Sequence, residues 1–413
     1  MTKINSAIYK NGNVIYWFIL LFITFGLFFY KFTGFELYDE VALVSLLVYF
    51  ILTTRKYPKE ILICGLLFLF YFLYSLYIGI NTPKACLLDM LQQIKPYLAF
   101  YCTYSLFAVI RPSKYRKIRK YVLFFSVFLS ILLIIRVATS SVPVPIIGHP
   151  TNAATCSFTF ALLYLLFSDK KKKNIYIALI IMTVGLLSGR SKFYGSYIMF
   201  VFLFFSLKNR IYFNVKYLFM FAILTSVIIY FTWEKLDYYY VSGLDNSYNI
   251  RSLLIKKTPE IMNDYFPFGS GYASFGNVTS GTYYSPLYRK YGFEQILSYG
   301  GFREGNVFFL GDTFIPNLAQ YGYLGLFFFL WFWYRRLREI KKIKDFFVYK
   351  IAIFIFFIIL IENLADTMYM SNRGMMLFFL LGLILNYNSK YNKFMGDNLY
   401  VNNKDTASQN TRH

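Results

Sequence analysis

Long apolar runs, separated by short polar breaks, recur along almost the whole chain. Residues 14–30, 61–80 and 215–233 are three examples. A bilayer core about 30 Å thick needs roughly 20 apolar residues per helical span, and backbone exposed to lipid satisfies its hydrogen bonds only as helices or closed barrels. The charged content of 15% is well below the roughly 25% of soluble domains. The runs therefore predict an all-α, polytopic integral membrane helix bundle.

The spacing of the polar breaks predicts about 12 transmembrane helices. They lie near residues 13–31, 37–53, 61–80, 95–110, 121–137, 152–168, 174–188, 193–207, 215–233, 312–334, 346–362 and 373–387. The break at 188–192 is also compatible with re-entrant structure. The chain divides into spans 1–9 over residues 1–233, a large loop over 234–311, spans 10–12 over 312–387, and a polar tail over 388–413.

The distribution of charge predicts the orientation. A net charge of +23 would suggest nucleic acid in a soluble protein, but basic residues retained on the cytoplasmic side explain it better in a membrane protein. With a cytoplasmic N-terminus, most of the 43 basic residues fall in alternate, inward-facing segments. Both termini are therefore predicted to be cytoplasmic, and no nucleic-acid partner is expected.

The same alternation places the large loop between spans 9 and 10 outside the cytoplasm. Its composition predicts a helix near 249–264, then a Gly/Pro-rich passage over 266–276, then a Tyr/Gly-rich stretch that ends at Gly311. The loop is too short and interrupted for an independent domain. We expect it to cap the membrane helices.

Neither the spacing of the cysteines nor any nucleotide-binding motif predicts a cofactor. Cys64, Cys86, Cys102 and Cys156 show no paired spacing, so they are predicted to be small buried residues instead of disulfide or metal ligands. The sequence contains no Walker loop, Gly-x-Gly-x-x-Gly or Asp-x-Asp pair, which disfavours an enzyme driven by a nucleotide or using a nucleotide sugar. No metal and no cofactor are predicted.

Several basic residues lie in outside segments, where membrane insertion does not require them. Arg190 and Lys192 lie in the tight turn between spans 7 and 8, Arg251 opens the loop helix, and Arg303 precedes span 10. Each is explained individually by snorkelling or by pairing with an acid. Guanidinium groups bind phosphate bidentately, so their convergence would fit a lipid-linked diphosphate at the membrane surface.

Acidic and polar residues near the same face are candidates for the chemistry. Asp312, at the predicted entrance of span 10, and Glu304 just before it would suit a general base, because desolvation raises a carboxyl pKa. Asp312 is equally explained as a helix N-cap. His149 and Asn152 open span 6. A lone histidine such as His149 is more often a structural hydrogen-bonding residue than a ligand. Asn152 would cap the helix or contact sugar.

Four stretches occur in a characteristic order around the large loop. They are Gly148-His-Pro-Thr-Asn152-Ala-Ala, Leu186-Leu-Ser-Gly-Arg190-Ser-Lys, the Arg251-led helix followed by Pro267-Phe-Gly269-Ser-Gly271, and Asp312-Thr-Phe-Ile-Pro-Asn-Leu-Ala-Gln-Tyr-Gly322-Tyr-Leu-Gly325. Together they resemble the O-antigen polymerase and ligase superfamily of bacterial envelope enzymes. The resemblance covers residues 145–330, and the first four spans match in hydropathy alone.

One position separates the two activities of that superfamily. Its ligases usually carry a histidine eleven residues before the first glycine of the last motif, and Gly311 occupies that place here. The departure favours a Wzy-type polymerase, which extends the glycan on undecaprenyl diphosphate, over a ligase, which moves it to lipid A core.

The resemblance implies a metal-free glycosyl transfer at the periplasmic face of the bacterial inner membrane. A hydroxyl of one undecaprenyl-diphosphate-linked repeat unit would attack the anomeric carbon of another. Arg190, Arg251 and Arg303, with Lys192 beside them, would hold the leaving diphosphate, and Asp312 or Glu304 would take the proton. His149 and Asn152 would contact glycan. A polysaccharide chain-length regulator is a possible partner.

A lipid-linked oligosaccharide flippase is the main rival outside this superfamily, and a non-catalytic scaffold is a third reading. A flippase predicts short loops, charges at mid-membrane depth and a repeat between the two halves. The sequence shows no such repeat and one long outer loop. A scaffold predicts no convergence of outside arginines.

Overall fold

The computed structural model describes most of the chain as helices. The described residues are 3–30, 32, 37–54, 57–106, 108–139, 148–211, isolated positions between 219 and 241, 250–293, 310–311, 314–364 and 366–387. The longer helices are α1 (Lys3–Leu21), α2 (Tyr38–Thr53), α3 (Lys59–Ile78), α4 (Pro83–Ser105), α5 (Pro112–Thr139), α6 (Pro150–Leu166), α7 (Lys172–Leu186) and α8 (Ser191–Val201). They continue with α9 (Ile250–Asp264), α10 (Val278–Thr282), α11 (Pro286–Lys290), α12 (Gly322–Lys341), α13 (Phe346–Leu364) and α14 (Asn372–Asn386).

Four of the described helical stretches are long and apolar enough to cross a bilayer. They are Ser6–Phe28, Lys59–Ile78, Pro112–Thr139 and Phe346–Asn363, and the shorter apolar helix α14 follows them. The described residues contain no strand. The predicted all-α fold is therefore confirmed for the described residues, and four of their helical stretches are suited by length and composition to span a membrane. Most of predicted span 9 and the tail over 388–413 lie outside the described residues.

Helix α14 forms the centre of the bundle. All of its residues are buried, which is the pattern of a helix surrounded by other helices. It packs along α4, where Asn386 donates from Nδ2 to the carbonyl oxygens of Thr103 at 2.7 Å and Leu106 at 2.6 Å. Thr103 Oγ1 returns a hydrogen bond to the carbonyl of Phe379 at 3.1 Å. The α4–α14 pair is thus joined by hydrogen bonds as well as by apolar contact.

Two helices begin at different residues from those that the apolar runs predict. Helix α4 begins at Pro83 instead of residue 95, because the Thr82 side chain accepts from the Ala85 N–H and proline suits the first helical turn. Helix α12 begins at Gly322 instead of residue 312, after a 3-10 turn over Ile315–Gln320. Tyr321 occupies the N-cap position of α12, and Asp312, the predicted N-cap of span 10, lies outside the described residues.

The described part of the large loop folds onto the C-terminal end of α3 and the N-terminal end of α4, and we call this side of the helix bundle the outer side. The predicted loop helix is present as α9, and the Gly/Pro-rich passage follows it. Tyr74 donates to the Gly269 carbonyl at 2.9 Å, Asn81 donates to the Ala273 carbonyl at 2.7 Å, and the Tyr272 N–H donates to Ser75 Oγ at 2.7 Å. The expectation that the loop caps the membrane helices is confirmed for these residues.

A buried carboxylate on α4 holds this loop in place. Asp89 is fully buried and accepts from Gln93 Nε2 at 2.8 Å, from the Ala273 N–H at 2.6 Å, and from Asn277 Nδ2 at 2.8 Å to each oxygen. Asn277 also donates to Asn317 Oδ1 at 3.1 Å. We call this set the Asp89 latch. It joins α4, the loop and the turn before α12 through charge-assisted hydrogen bonds.

Backbone contact completes the junction between the loop and α12. The Ser270 and Gly271 N–H groups donate to the carbonyls of Ala319 and Gln320 at 3.0 and 2.9 Å. Gly269 and Gly322 approach so closely that a Cβ on Gly269 would lie 2.3 Å from the Gly322 nitrogen. Both have positive φ angles, of 80° and 58°, which glycine adopts without steric cost.

Removing the Asp89 carboxylate is expected to release the loop. Asp89→Ala removes the acceptor of the buried Ala273 N–H, at roughly 1–3 kcal/mol for an unpaired donor, and leaves the Gln93 and Asn277 amides with only Gln320 and Asn317 as acceptors. Limited trypsin digestion from the outer face of oriented vesicles should then cleave faster at Lys256 and Lys257 of α9. Lys84→Ala, an exposed change on the same helix, should leave the cleavage rate unchanged. Equal rates in wild type and Asp89→Ala would contradict the latch.

Candidate cation cluster at the outer helix ends

The ends of six helices meet on the same side of the bundle as the loop. They are the C-terminal ends of α5, α7 and α13 and the N-terminal ends of α6, α8 and α14. The Phe314 N–H, from the stretch before α12, donates to the Asn363 carbonyl near the end of α13 at 3.3 Å. This hydrogen bond connects the stretch before α12 to the end of α13, which is one of these six helix ends.

The turn between α7 and α8 presents Arg190 to His149. Gly189 has a φ of 66°, which allows the chain to reverse between the two helices. Arg136 at the end of α5 donates from Nη1 to the Ser188 carbonyl at 3.0 Å and so supports the turn. Arg190 then lies at the N-cap position of α8, with its Nη2 2.7 Å from His149 Nε2.

The contacts of His149 identify its protonation state. Arg190 offers donors alone, so His149 Nε2 must accept and carry no proton. The proton is therefore on Nδ1, which lies 3.0 Å from Thr151 Oγ1 and donates to it. Burial, and second to it the nearby charge of Arg190, lower the pKa of His149 to about 4. His149 is thus neutral at physiological pH and orients the Arg190 guanidinium.

A second group of charges surrounds Asp366, between α13 and α14. Its Oδ2 lies 2.6 Å from Lys192 Nζ and 3.0 Å from Arg373 Nη1. Lys192 Nζ also lies 2.8 Å from an oxygen of Glu362, whose side chain is 1% exposed. Burial would raise the pKa of Asp366, but Arg373 and Lys192 outweigh it and hold that pKa well below its usual range. Asp366 is therefore ionised and bridges α8 to α14.

The two groups form one site, which we call the outer cation cluster and define as Arg136, His149, Arg190, Lys192, Glu362, Asp366 and Arg373. Arg190, which contacts His149, and Lys192, which contacts Asp366, lie two residues apart in the same turn, so the two groups adjoin. Among the described residues, four cations face two carboxylates beside a neutral imidazole, so these members of the cluster carry two more positive than negative charges. The three N-terminal and three C-terminal helix ends carry opposite partial charges, so the positive excess comes from the side chains alone. The cluster is suited to binding an anion.

The structure brings together part of the site that the sequence predicts. Arg190, Lys192 and His149 meet in the cluster. Asn152 lies in the first turn of α6, but His149, not Asn152, occupies the N-cap position of that helix. Arg251 lies in the first turn of α9, on the folded loop. The predicted base candidates Asp312 and Glu304 and the predicted third arginine Arg303 lie outside the described residues.

Four members of the cluster are not singled out by the sequence, and the first of them, Arg136, lies at a predicted span end. Glu362 and Asp366 follow an apolar run and look like ordinary polar residues at a span end, and Arg373 looks like an isolated outside cation. A signal was present, because Arg373 is one of the few basic residues in the short outside loops and two acids stand shortly before it. Their partner Lys192 lies 174 residues from Asp366 along the chain, and sequence spacing gives no access to that pairing.

Comparison with known proteins adds no family assignment. No protein-family model matches the chain, and no curated protein shows significant similarity to it.

The described residues contain no group of three or more side chains of the types that hold a metal ion. The four cysteines are buried with free thiols.

Acid should weaken the fold through His149. Its folded pKa of about 4 lies below the roughly 6.5 of an unfolded histidine, so the unfolded chain binds the extra proton between these values. Stability is therefore complete above about pH 6.5 and falls as the pH drops toward 4. His149→Gln keeps an acceptor for Arg190 but does not titrate. The decrease in thermal unfolding temperature between pH 7 and pH 4.5 should be smaller in this variant; an equal decrease would contradict the assignment.

Loss of the Asp366 charge should destabilise the outer helix ends. Asp366→Asn leaves Arg373 without its ion pair and Lys192 with Glu362 alone, and breaking a buried pair costs roughly 3–5 kcal/mol. The matched control is Asp345→Asn, which removes the exposed Lys170–Asp345 pair and should cost about 1 kcal/mol or less. Thermal unfolding in detergent compares the two. Similar changes in both variants would show that the cluster contributes no more than a surface pair.

Proposed function

We propose that the chain is a polymerase of lipid-linked oligosaccharide repeat units. The observation that carries the proposal is the outer cation cluster, a preassembled group of guanidinium and ammonium groups at one end of an apolar helix bundle. Such a group suits a diphosphate that carries a lipid on one side and a glycan on the other. The resemblance of the stretches around Asn152, Arg190, Arg251 and Gly322 to the O-antigen polymerase and ligase superfamily supports the same substrate class.

The membrane arrangement in this proposal follows the charge distribution. We propose about 12 spans, with both termini in the cytoplasm and the cluster at the periplasmic face of a bacterial inner membrane. In support, the described helices alternate such that the turns holding Arg190 and Arg373 lie at the same end as the folded loop. A glycan attached to the lipid would meet the loop, and the lipid chain would remain in the bilayer.

The reaction requires the cluster to stabilise a leaving group. A hydroxyl oxygen of one repeat unit attacks the anomeric carbon of the other, the bond from that carbon to the diphosphate oxygen breaks, and the proton of the hydroxyl passes to a carboxylate. Arg190 stays charged at all accessible pH values, and preplaced cations stabilise the developing diphosphate charge. Lys192 and Arg373 would exchange their bonds to Asp366 for bonds to phosphate. Asp312 and Glu304 remain the proposed bases.

Substitution of the cluster arginines tests the proposal in the native host. Deletion of the gene should abolish the long-chain glycan ladder and leave single repeat units on lipid A core. Arg190→Ala and Arg373→Ala should restore at least about 100-fold less polymer than wild type, the scale of losing one charge-stabilising donor. The control is Lys84→Ala, an exposed outer cation on α4, which should restore the ladder. Immunoblots confirm equal protein levels.

The alternative functions give different products in the same deletion strain. A bare core with accumulated lipid-linked polymer would indicate a ligase, and repeat units trapped on the cytoplasmic face would indicate a flippase. Full restoration of the ladder by both arginine variants would remove the cluster from the mechanism.

A further inference from the structure

Glu362 is the most deeply buried charged side chain of the outer cation cluster. It is 1% exposed, against 11% for Lys192 and 20% for Asp366. It lies in the last turn of α13, one turn after the buried, apolar Ile358 and Ile359. A carboxylate in such a place is unfavourable unless its charge is paired.

Glu362 depends on a single cation for this pairing. Among the described residues its one ion pair is with Lys192, at 2.8 Å, and no described donor is in hydrogen-bonding geometry with either of its oxygens. Asp89 is also buried, but there amide and backbone N–H donors take the place of a cation. Glu362 has no such donors, so its charge is stable only while Lys192 stays beside it.

The other charged groups near Glu362 already have partners. Arg373 pairs with Asp366 at 3.0 Å, and Arg190 contacts His149 at 2.7 Å. The charged residues of α12, which also packs against α13, begin at Arg335 near its opposite end. The groups that titrate or carry charge on the elements around the outer end of α13 are thus His149 and Cys156 on α6, Arg190 and Lys192 on α8, Tyr369, Arg373 on α14, and Asp366.

An anion at the cluster would take Lys192 away from Glu362. Lys192 follows Arg190 in the same turn, so a phosphate bound by Arg190 draws the lysine ammonium toward itself. Asp366 also loses this lysine, but it is partly exposed and can be hydrated. Glu362 is held in a helical turn without access to water. A buried carboxylate that loses its cation takes up a proton, because burial penalises the charged form.

We propose that the outer cation cluster binds its diphosphate together with one proton, which comes from solution and is held by Glu362. This inference rests on the proposed function for the identity of the anion, and it adds a second bound species to the same site. The buried groups stay balanced in charge while Lys192 changes partner. Release of the diphosphate returns Lys192 to Glu362 and the proton to solution.

Binding of inorganic diphosphate to the purified full-length protein in detergent tests the proton. Calorimetry in two buffers of different ionisation enthalpy gives the number of protons taken up per bound diphosphate. Glu362→Gln should take up about one proton fewer than wild type, because its amide does not titrate. Protonation of the diphosphate itself contributes equally to both proteins and cancels in the difference.

The matched control is Glu260→Gln, which changes an exposed glutamate of the folded loop that has its own lysine partner at 2.7 Å. This variant should take up as many protons as wild type. Equal uptake in wild type and Glu362→Gln would overturn the proposal. Failure of the wild-type protein to bind diphosphate would also overturn it.

The pH dependence of the affinity separates proton binding from a structural role. Glu362→Gln reproduces the neutral side chain, so at about pH 8 it should bind diphosphate at least about tenfold more tightly than wild type, and this difference should shrink toward about pH 6. A structural role predicts the opposite, because a damaged cluster binds the anion less tightly at every pH. Weaker binding by Glu362→Gln at both pH values would overturn the proposal.

Two other members of the cluster could hold the proton instead. An anion beside His149 favours its protonated ring, and Asp366 shares Lys192 with Glu362. His149→Gln and Asp366→Asn should therefore be measured in the same way, and both should keep the wild-type uptake. Loss of the uptake in either variant, with uptake retained in Glu362→Gln, would overturn the proposal. The Glu362→Gln result decides it even where Asp366→Asn does not fold.

The inference and the proposed function fail in distinguishable ways. If the function is right and the inference is wrong, Arg190→Ala loses polymer in the host while Glu362→Gln takes up as many protons as wild type. If the function is wrong and the inference is right, gene deletion leaves the glycan ladder intact while the purified protein still binds diphosphate with a proton that Glu362→Gln abolishes.

Discussion

The ion pairs of Asp366 connect helices that would otherwise share only apolar contact. Its carboxylate bridges Lys192 on α8 and Arg373 on α14, and Glu362 of α13 contributes to the same lysine. Charges this deeply placed are costly unless they are paired, so the helix ends must stay together for the charges to stay paired. Because α14 lies at the centre of the bundle and packs along α4, these ion pairs also restrict how α14 is placed against α4.

The same arrangement makes the cluster suitable for binding. Lys192 and Arg373 are both held by one carboxylate oxygen, Oδ2 of Asp366, in a place that a phosphate oxygen could take. An incoming diphosphate could take over these bonds without a large movement of the helices, so little reorganisation would be needed at the moment of reaction. Arg190 is oriented independently, through the neutral ring of His149. One part of the cluster is therefore exchangeable and the other is fixed.

Local chemistry explains which parts of this architecture the sequence could predict. Apolar runs gave the helices, and the loop helix, predicted over 249–264, is present over Ile250–Asp264. The turn that holds Arg190 and Lys192 could be predicted as part of a site because membrane insertion does not require basic residues in outside segments. The start of α12 was mispredicted because residues 315–320 are apolar enough to extend a span, yet Asn317 and Gln320 turn inward to the Asp89 latch. The pairing of Lys192 with Asp366 depends on how α8 packs near α13, which no local pattern encodes.

The Asp89 latch and the outer cation cluster stabilise their buried polar groups in opposite ways. The Asp89 latch places a carboxylate among amide and backbone donors that have no exchange partner nearby, and these neutral donors fix the loop to α4 and α12. The outer cation cluster instead pairs charge with charge and keeps a positive excess. A carboxylate surrounded by neutral donors gains nothing from an incoming anion, whereas a cation-rich cluster does. The latch is therefore suited to hold the loop still while the cluster beside it exchanges its partners, which is the division that a reaction on a bound diphosphate requires.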